Sequence, residues 1–131
     1  MVKKMPVDRH KLGRYSKNKG KRAERELAHI FQEAGLVNAH RTAQFMGKTG
    51  QAGDIEGVPF IHVEAKNVEK LNLRNAMEQS ENDAEACGKG DIPIVCHKKS
   101  RVPWLVTMNL TDWIPIYKVW LKAKEKDNAD K

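Results

Sequence analysis

Apolar residues recur at Leu27, Ile30, Phe31 and Ala34, the spacing of one helix face, and Gly35 follows as a stop. This pattern predicts a helix beginning at Lys19, after a segment, residues 1–17, in which no period is visible. Val37–Thr42 has the make-up of a short strand. Gly47, Gly50 and Gly53 mark residues 43–53 as a loop. Asp54–Glu56 and Phe60–Lys66 then read as two strands around Gly57-Val58-Pro59. Leu73, Ala76, Met77, Ser80 and Ala84 share one face of a helix over Leu71–Cys87, closed by Gly88 and Gly90. Ile92–His97 and Pro103–Met108 are strand candidates joined by the polar turn Lys98–Arg101. Thr111 is placed to cap a last helix, with Asp112 in its first turn and Pro115 early enough to be tolerated. The order α, β, β, β, α, β, β, α predicts an α/β fold, a mixed sheet flanked by helices.

Length adds a bound. At 131 residues the chain suits one domain. No apolar run is long enough to span a bilayer, and no apolar stretch follows the basic start as in a secretory signal. Cys87 and Cys96 fit reduced thiols in a cytoplasmic protein.

Charge changes the picture more. Residues 1–22 hold nine Lys and Arg against Asp8 alone, so this segment carries +8 of a whole-chain +7. The rest is close to neutral. The organisation expected is a basic N-terminal arm over 1–18, a central domain over 19–122 and a charged tail over 123–131. Such an arm attracts polyanions, most often nucleic acid; a solvated leader is the bland alternative.

The candidate chemistry lies in GDIEGVPFIHVEAK, residues 53–66. Strand alternation puts Ile61, Val63 and Ala65 on one face and His62, Glu64 and Lys66 on the other. Pairing of Asp54 near His62 would set its carboxylate diagonally beside Glu64. Two carboxylates so close need a cation or protons, and a hard oxygen pair suits Mg²⁺ or Mn²⁺. Lys66 adds a positive charge on the same face. This fits metal-assisted phosphodiester hydrolysis, although an edge hairpin with a surface ion pair has the same pattern. Glu24 lies at the edge of the first helix's apolar stripe, whereas Glu26, Glu33, Arg25 and His29 face the other way. An acid so placed has a partner, either Lys66 or Arg41 in a structural pair, or a metal shared with Asp54 and Glu64.

The segments KGKRAERE (19–26), HRTA (40–43), GD (53–54) and VEAK (63–66) together resemble the archaeal-type Holliday junction resolvases of the PD-(D/E)XK nuclease superfamily. The likeness continues loosely through IPIVCHKKSRVPWLV (92–106). It implies a restriction-endonuclease-like fold and a homodimer with one metal-dependent site per subunit. It implies Glu24, Asp54, Glu64 and Lys66 as the catalytic set, with Asp54, Glu64 and the Ala65 carbonyl as metal ligands. Mg²⁺ is the implied cofactor, with Mn²⁺ as substitute, and no small-molecule cofactor is implied. Arg25 and Arg41 match family positions that bear on DNA, and Lys19, Arg22, Thr42 and Lys48 join them as expected DNA contacts. Four-way junctions are the implied substrate, in a bacteriophage-infected or prokaryotic cytoplasm. A nuclease of the same superfamily acting on another DNA structure (flap, nick or duplex), and a non-catalytic nucleic-acid-binding protein, are the rival readings. The family's loop serine has no evident counterpart; Thr42, Thr49 and Gln51 are the candidates. Gln79 and His62 could each face the site or be bystanders. Trp104, Trp113 and Trp120 fit core packing or a dimer seam better than base stacking.

Overall fold

The computed structural model describes residues 9–42 and 53–130, with no account of side chains 9–13 and 16. Helix α1 spans Arg9–Glu33, and strands β1 (His40–Arg41), β2 (Ile55–Glu56) and β3 (Ile61–Asn67) follow. Helix α2 covers Leu73–Cys87, strands β4 and β5 cover Ile92–Lys99 and Val102–Met108, and helix α3 covers Leu110–Ala129. The expected order and the mixed sheet flanked by helices are both present. No helix among the described residues is long and apolar enough to cross a membrane.

The five strands lie in the order β1-β2-β3-β4-β5. All neighbours are antiparallel except β3 and β4, which run parallel and are joined through α2. Alternation along β3 and β4 divides the interior into two layers. Val63, Ile94 and Cys96 meet Leu27 and Ala28 of α1, together with Ala39 and Ile55. On the other face Val95 meets Ala76 and Met77 of α2. Ser80, fully buried on α2, donates its hydroxyl to the Ile94 carbonyl at 2.9 Å.

Several expectations change. α1 starts at Arg9, ten residues before Lys19, so the helix runs back into the basic segment. Among the described side chains of α1, Ala23 is the first that is buried. α3 likewise continues to Ala129, through much of the segment expected as a charged tail. Its N-cap is Asn109 instead of Thr111. Leu73 stands at the exposed edge of α2, while Ala76, Met77, Ser80 and Ala84 are buried as expected. Trp104 packs against the α1-side core, but Trp113 and Trp120 are 44% and 53% exposed and belong to no core.

The turn between β2 and β3 depends on Gly57, whose φ is +85°. A Cβ there would stand 2.1 Å from the Asn38 carbonyl oxygen, against backbone that cannot easily move. Gly57→Ala combines a strained φ with that clash, and should destabilise the domain by about 2–4 kcal/mol. Chemical denaturation would report the loss, and an unchanged midpoint would contradict the packing described.

Candidate active site

β3 carries the centre of the site. The ladder pairs Ile55 with Val63, so its continuation sets Asp54 across from Glu64, two residues from the His62 pairing expected. The Asp54 N–H donates to the Val63 carbonyl at 2.7 Å. Its carboxylate accepts the Ala65 N–H at 2.8 Å. Gly53 makes this closeness possible, because a Cβ there would lie 2.8 Å from the Val63 oxygen. Ala65 therefore orients Asp54 through its amide.

The face bearing His62 and Glu64 is not an open groove. His62 and Glu64 are 4% and 2% exposed, turned to the α2 side, and His62 Nε2 lies 3.1 Å from Glu64 Oε1. Asp83 of α2 completes a trio whose ligand atoms all lie within 4.8 Å of one another. Sequence reasoning missed Asp83. Its signal was faint: it sits between Ser80 and Ala84 in number and so at the rim of the buried face of α2. Gln79 is exposed. Lys66 is half-buried, close enough for its charge to act on Asp54.

The electrostatics show a site short of positive charge. The Asp54 carboxyl is pushed up to about 7, first by burial and next by the negative charge of Glu64; the Ala65 N–H and Lys66 only partly oppose this. Glu24 is also raised, mainly by burial. Its partner is Arg41, whose Nε donates to Glu24 Oε2 at 2.6 Å. Asp54 adds to the shift, which puts Glu24 within electrostatic reach of the pair on β3. Of the partners expected for Glu24, the structure shows the Arg41 pair, and Glu24 also lies within electrostatic reach of Asp54. Glu26, expected to face water alone, accepts hydrogen bonds from Trp104 Nε1 at 2.8 Å and Lys98 Nζ at 3.1 Å. Those bonds, the Trp104 one foremost, hold its carboxyl below the usual range.

Glu64, buried, and Asp54, half-buried, offer hard oxygen ligands, and a divalent cation fits their chemistry and the negative charge that raises Asp54. The trio with His62 and Asp83 enlarges the donor set on the α2 side. The expected DNA contacts spread outward from here. Arg22 and Arg25 line a shallow concavity on α1 with Tyr15, Asn18 and Lys21, and Lys19 lies on the same helix. Thr42 is buried; its N–H binds the Asp54 carbonyl and its hydroxyl is spent on Gly53. Lys48, Thr49 and Gln51 fall outside the described residues. A cleft of about 480 Å³ lined by Ile55, Val58, Phe60, His62, Cys87 and Lys89 takes in none of Glu24, Asp54, Glu64 and Lys66. A duplex lies across a surface and needs no such cavity.

The shift on Asp54 has a thermodynamic consequence. Its folded pKa is raised, so its contribution to stability is present below the ordinary value near 3.8 and is lost as pH rises through about 7. In chelator, Asp54→Asn should then stabilise the fold by about 2–4 kcal/mol at pH 8.5 and by little below pH 4. Thermal melts at the two pH values would report this, and a divalent cation should erase the difference by neutralising the wild-type pair. Equal melting temperatures for mutant and wild type at pH 8.5 in chelator would contradict it.

Comparison with known proteins agrees with this geometry. The sequence model of a family described as "Phage putative PDDEXK endonuclease" matches residues 15–129. No curated protein matches the chain. Among solved structures, the 1.6 Å structure of Hjc, a Holliday junction resolvase from the archaeal hyperthermophile Archaeoglobus fulgidus, is similar at 28% identity with a TM-score of 0.50. The match covers 69% of this chain and 72% of that one, and the shared fold is restriction-endonuclease-like.

Proposed function

Because the chain belongs to the phage PDDEXK endonuclease family, we propose that it is a Mg²⁺-dependent endonuclease that cuts DNA at four-way junctions. The observation that carries this is the close pair of carboxylates on neighbouring strands: Asp54, half-buried and held by the Ala65 amide, with its carboxyl pushed up by burial and by the charge of Glu64, and Glu64 itself buried. Asp54, Glu64 and the Ala65 carbonyl hold the cation, and Mn²⁺ can replace Mg²⁺. When bound, the metal supplies positive charge to the scissile phosphate and a water of lowered pKa. Lys66 carries positive charge beside the place of the phosphate and would orient an attacking water there. Glu24 fixes Arg41 at the border of the site, where its guanidinium meets the DNA backbone.

Lys19, Arg22, Arg25, Arg41 and Lys48 grip phosphates. Such contacts carry no base code, so the enzyme reads DNA shape. The likeness to an archaeal junction resolvase supports the four-way junction as that shape. Resolving a junction takes two cuts on opposed strands, and a two-fold dimer presents two identical sites to match the approximate two-fold symmetry of the substrate. The test is to cleave a four-way junction, a flap and a linear duplex side by side in Mg²⁺ at physiological salt. Preferential paired cuts in the junction are expected. Preference for the flap or the duplex would refute the junction assignment and leave the nuclease chemistry standing.

A further inference from the structure

From the α2 side of β3 we infer that His62 is a positioning residue. It donates to one oxygen of the Glu64 carboxylate and so fixes the orientation in which Glu64 meets a divalent cation. This rests on the proposed function, in which Glu64 is a ligand, and carries it one step outward. His62 Nε2 lies 3.1 Å from Glu64 Oε1, and both residues are buried. A carboxylate that holds a cation is ionised and only accepts, so Nε2 carries the proton. The bond therefore needs no particular charge on the imidazole. Asp83 of α2, whose ligand atom lies within 4.8 Å of the other two, is itself an acceptor and cannot supply the donor.

The fold holds both ends of this bond. His62 and Glu64 are two apart on β3, so they project on the same face. β4 pairs with this stretch residue by residue, His62 with Pro93 and Glu64 with Val95, which pins the backbone of both. The ring is wedged as well. A Cβ on Gly53 would lie 3.5 Å from His62 Cε1, so the imidazole packs against the residue just before Asp54. The cleft beside Phe60 is lined by His62 and Gly53 but not by Glu64, so the ring walls the carboxylate off from it. One oxygen of Glu64 is thus given to His62, and the other is left to a cation. Mg²⁺ and Mn²⁺, with octahedral demands, gain most from a ligand held still; Ca²⁺ accepts varied carboxylate geometry and gains less.

The test is metal binding, read without cutting. Titration of the full chain with Mn²⁺, followed by the electron paramagnetic resonance of the free ion, gives one Kd, and competition by Ca²⁺ gives the other. His62→Phe should raise the Mn²⁺ Kd about 10–100-fold and the Ca²⁺ Kd by less, so the preference for Mn²⁺ falls. His62→Gln, whose amide can stand where Nε2 stands, should recover most of the loss. His62→Asn is too short to do so, and gives the same reading should the phenyl ring prevent folding, which circular dichroism in chelator reports. Electron spin echo modulation of Mn²⁺ bound to the wild type should show no imidazole nitrogen, because the ring touches the ligand and not the ion. Wild-type Mn²⁺ affinity in the Phe and Asn variants, an equal loss for Mn²⁺ and Ca²⁺, a Gln variant no better than Asn, or a directly bound imidazole nitrogen would overturn the positioning role alone. A wild type that binds no Mn²⁺, or a Glu64→Gln variant that binds it equally well, would overturn the cation reading too.

Discussion

Asp54→Asn and Glu64→Gln should each lower single-turnover cleavage at least about a thousandfold while DNA binding persists or tightens. The reasoning is electrostatic. In the proposed mechanism both changes remove a ligand for the cation, so charge developing at the phosphate would lose its stabiliser. Both also remove negative charge from a site that already has too much of it, since burial and Glu64 together hold the Asp54 carboxyl near 7. Ground-state binding of a polyanion therefore does not suffer, and the loss falls on the chemical step. Glu24→Gln should fall between these and wild type, because it loosens Arg41 at 2.6 Å and changes the field at Asp54. Glu26→Gln should cut normally, since its partners are Lys98 and Trp104, away from the acidic pair. Rapid-quench cleavage and gel-shift binding on the same variants separate the two steps. Equal loss at Glu24 and Glu26 would contradict the assignment of faces on α1.

Removing residues 1–16 should weaken binding to every DNA substrate and flatten its salt dependence, without abolishing catalysis. The deletion takes away Lys3, Lys4, Arg9, Lys11 and Arg14, and shortens α1 by eight residues. Each cation that neutralises a phosphate contributes about 0.9 to the slope of log K against log salt. Five such contacts would lower the slope by up to about 4.5. The remaining helix keeps Ala23, Leu27 and Ala28, which pack on the sheet, so the site retains its frame. Binding isotherms from 50 to 300 mM salt would report the slope, and an unchanged slope would mean that this segment does not touch DNA.

The sheet and its helices were legible in the chain because burial writes a period into it. Val63 lies between His62 and Glu64, and alternation sends the apolar residue to α1 and the polar ones to α2. The start of α1 was not legible for the converse reason. Over 14–22 no described side chain of the helix is buried, so no apolar period marks this stretch. α3 was expected from its start, but its run to Ala129 was not, because no buried face marks its last turns. Register was beyond local pattern too. Gly53 and the Ala65 amide draw Asp54 to Glu64, and neither contact is visible until the strands are paired. Asp83 and the Glu26–Trp104 bond join elements far apart in sequence; charge alone makes such residues look like solvent-facing ones.

The central claim is that the Asp54–Glu64 pair works by holding a divalent cation. The most direct measurement is single-turnover cleavage of a four-way junction by the wild-type chain in Mg²⁺, Mn²⁺, Ca²⁺ and chelator. Cutting is expected in Mg²⁺ and Mn²⁺. Ca²⁺ should support binding with little cutting, because its larger and looser coordination positions the phosphate poorly. Chelator should abolish cutting, and full activity in chelator would contradict the account.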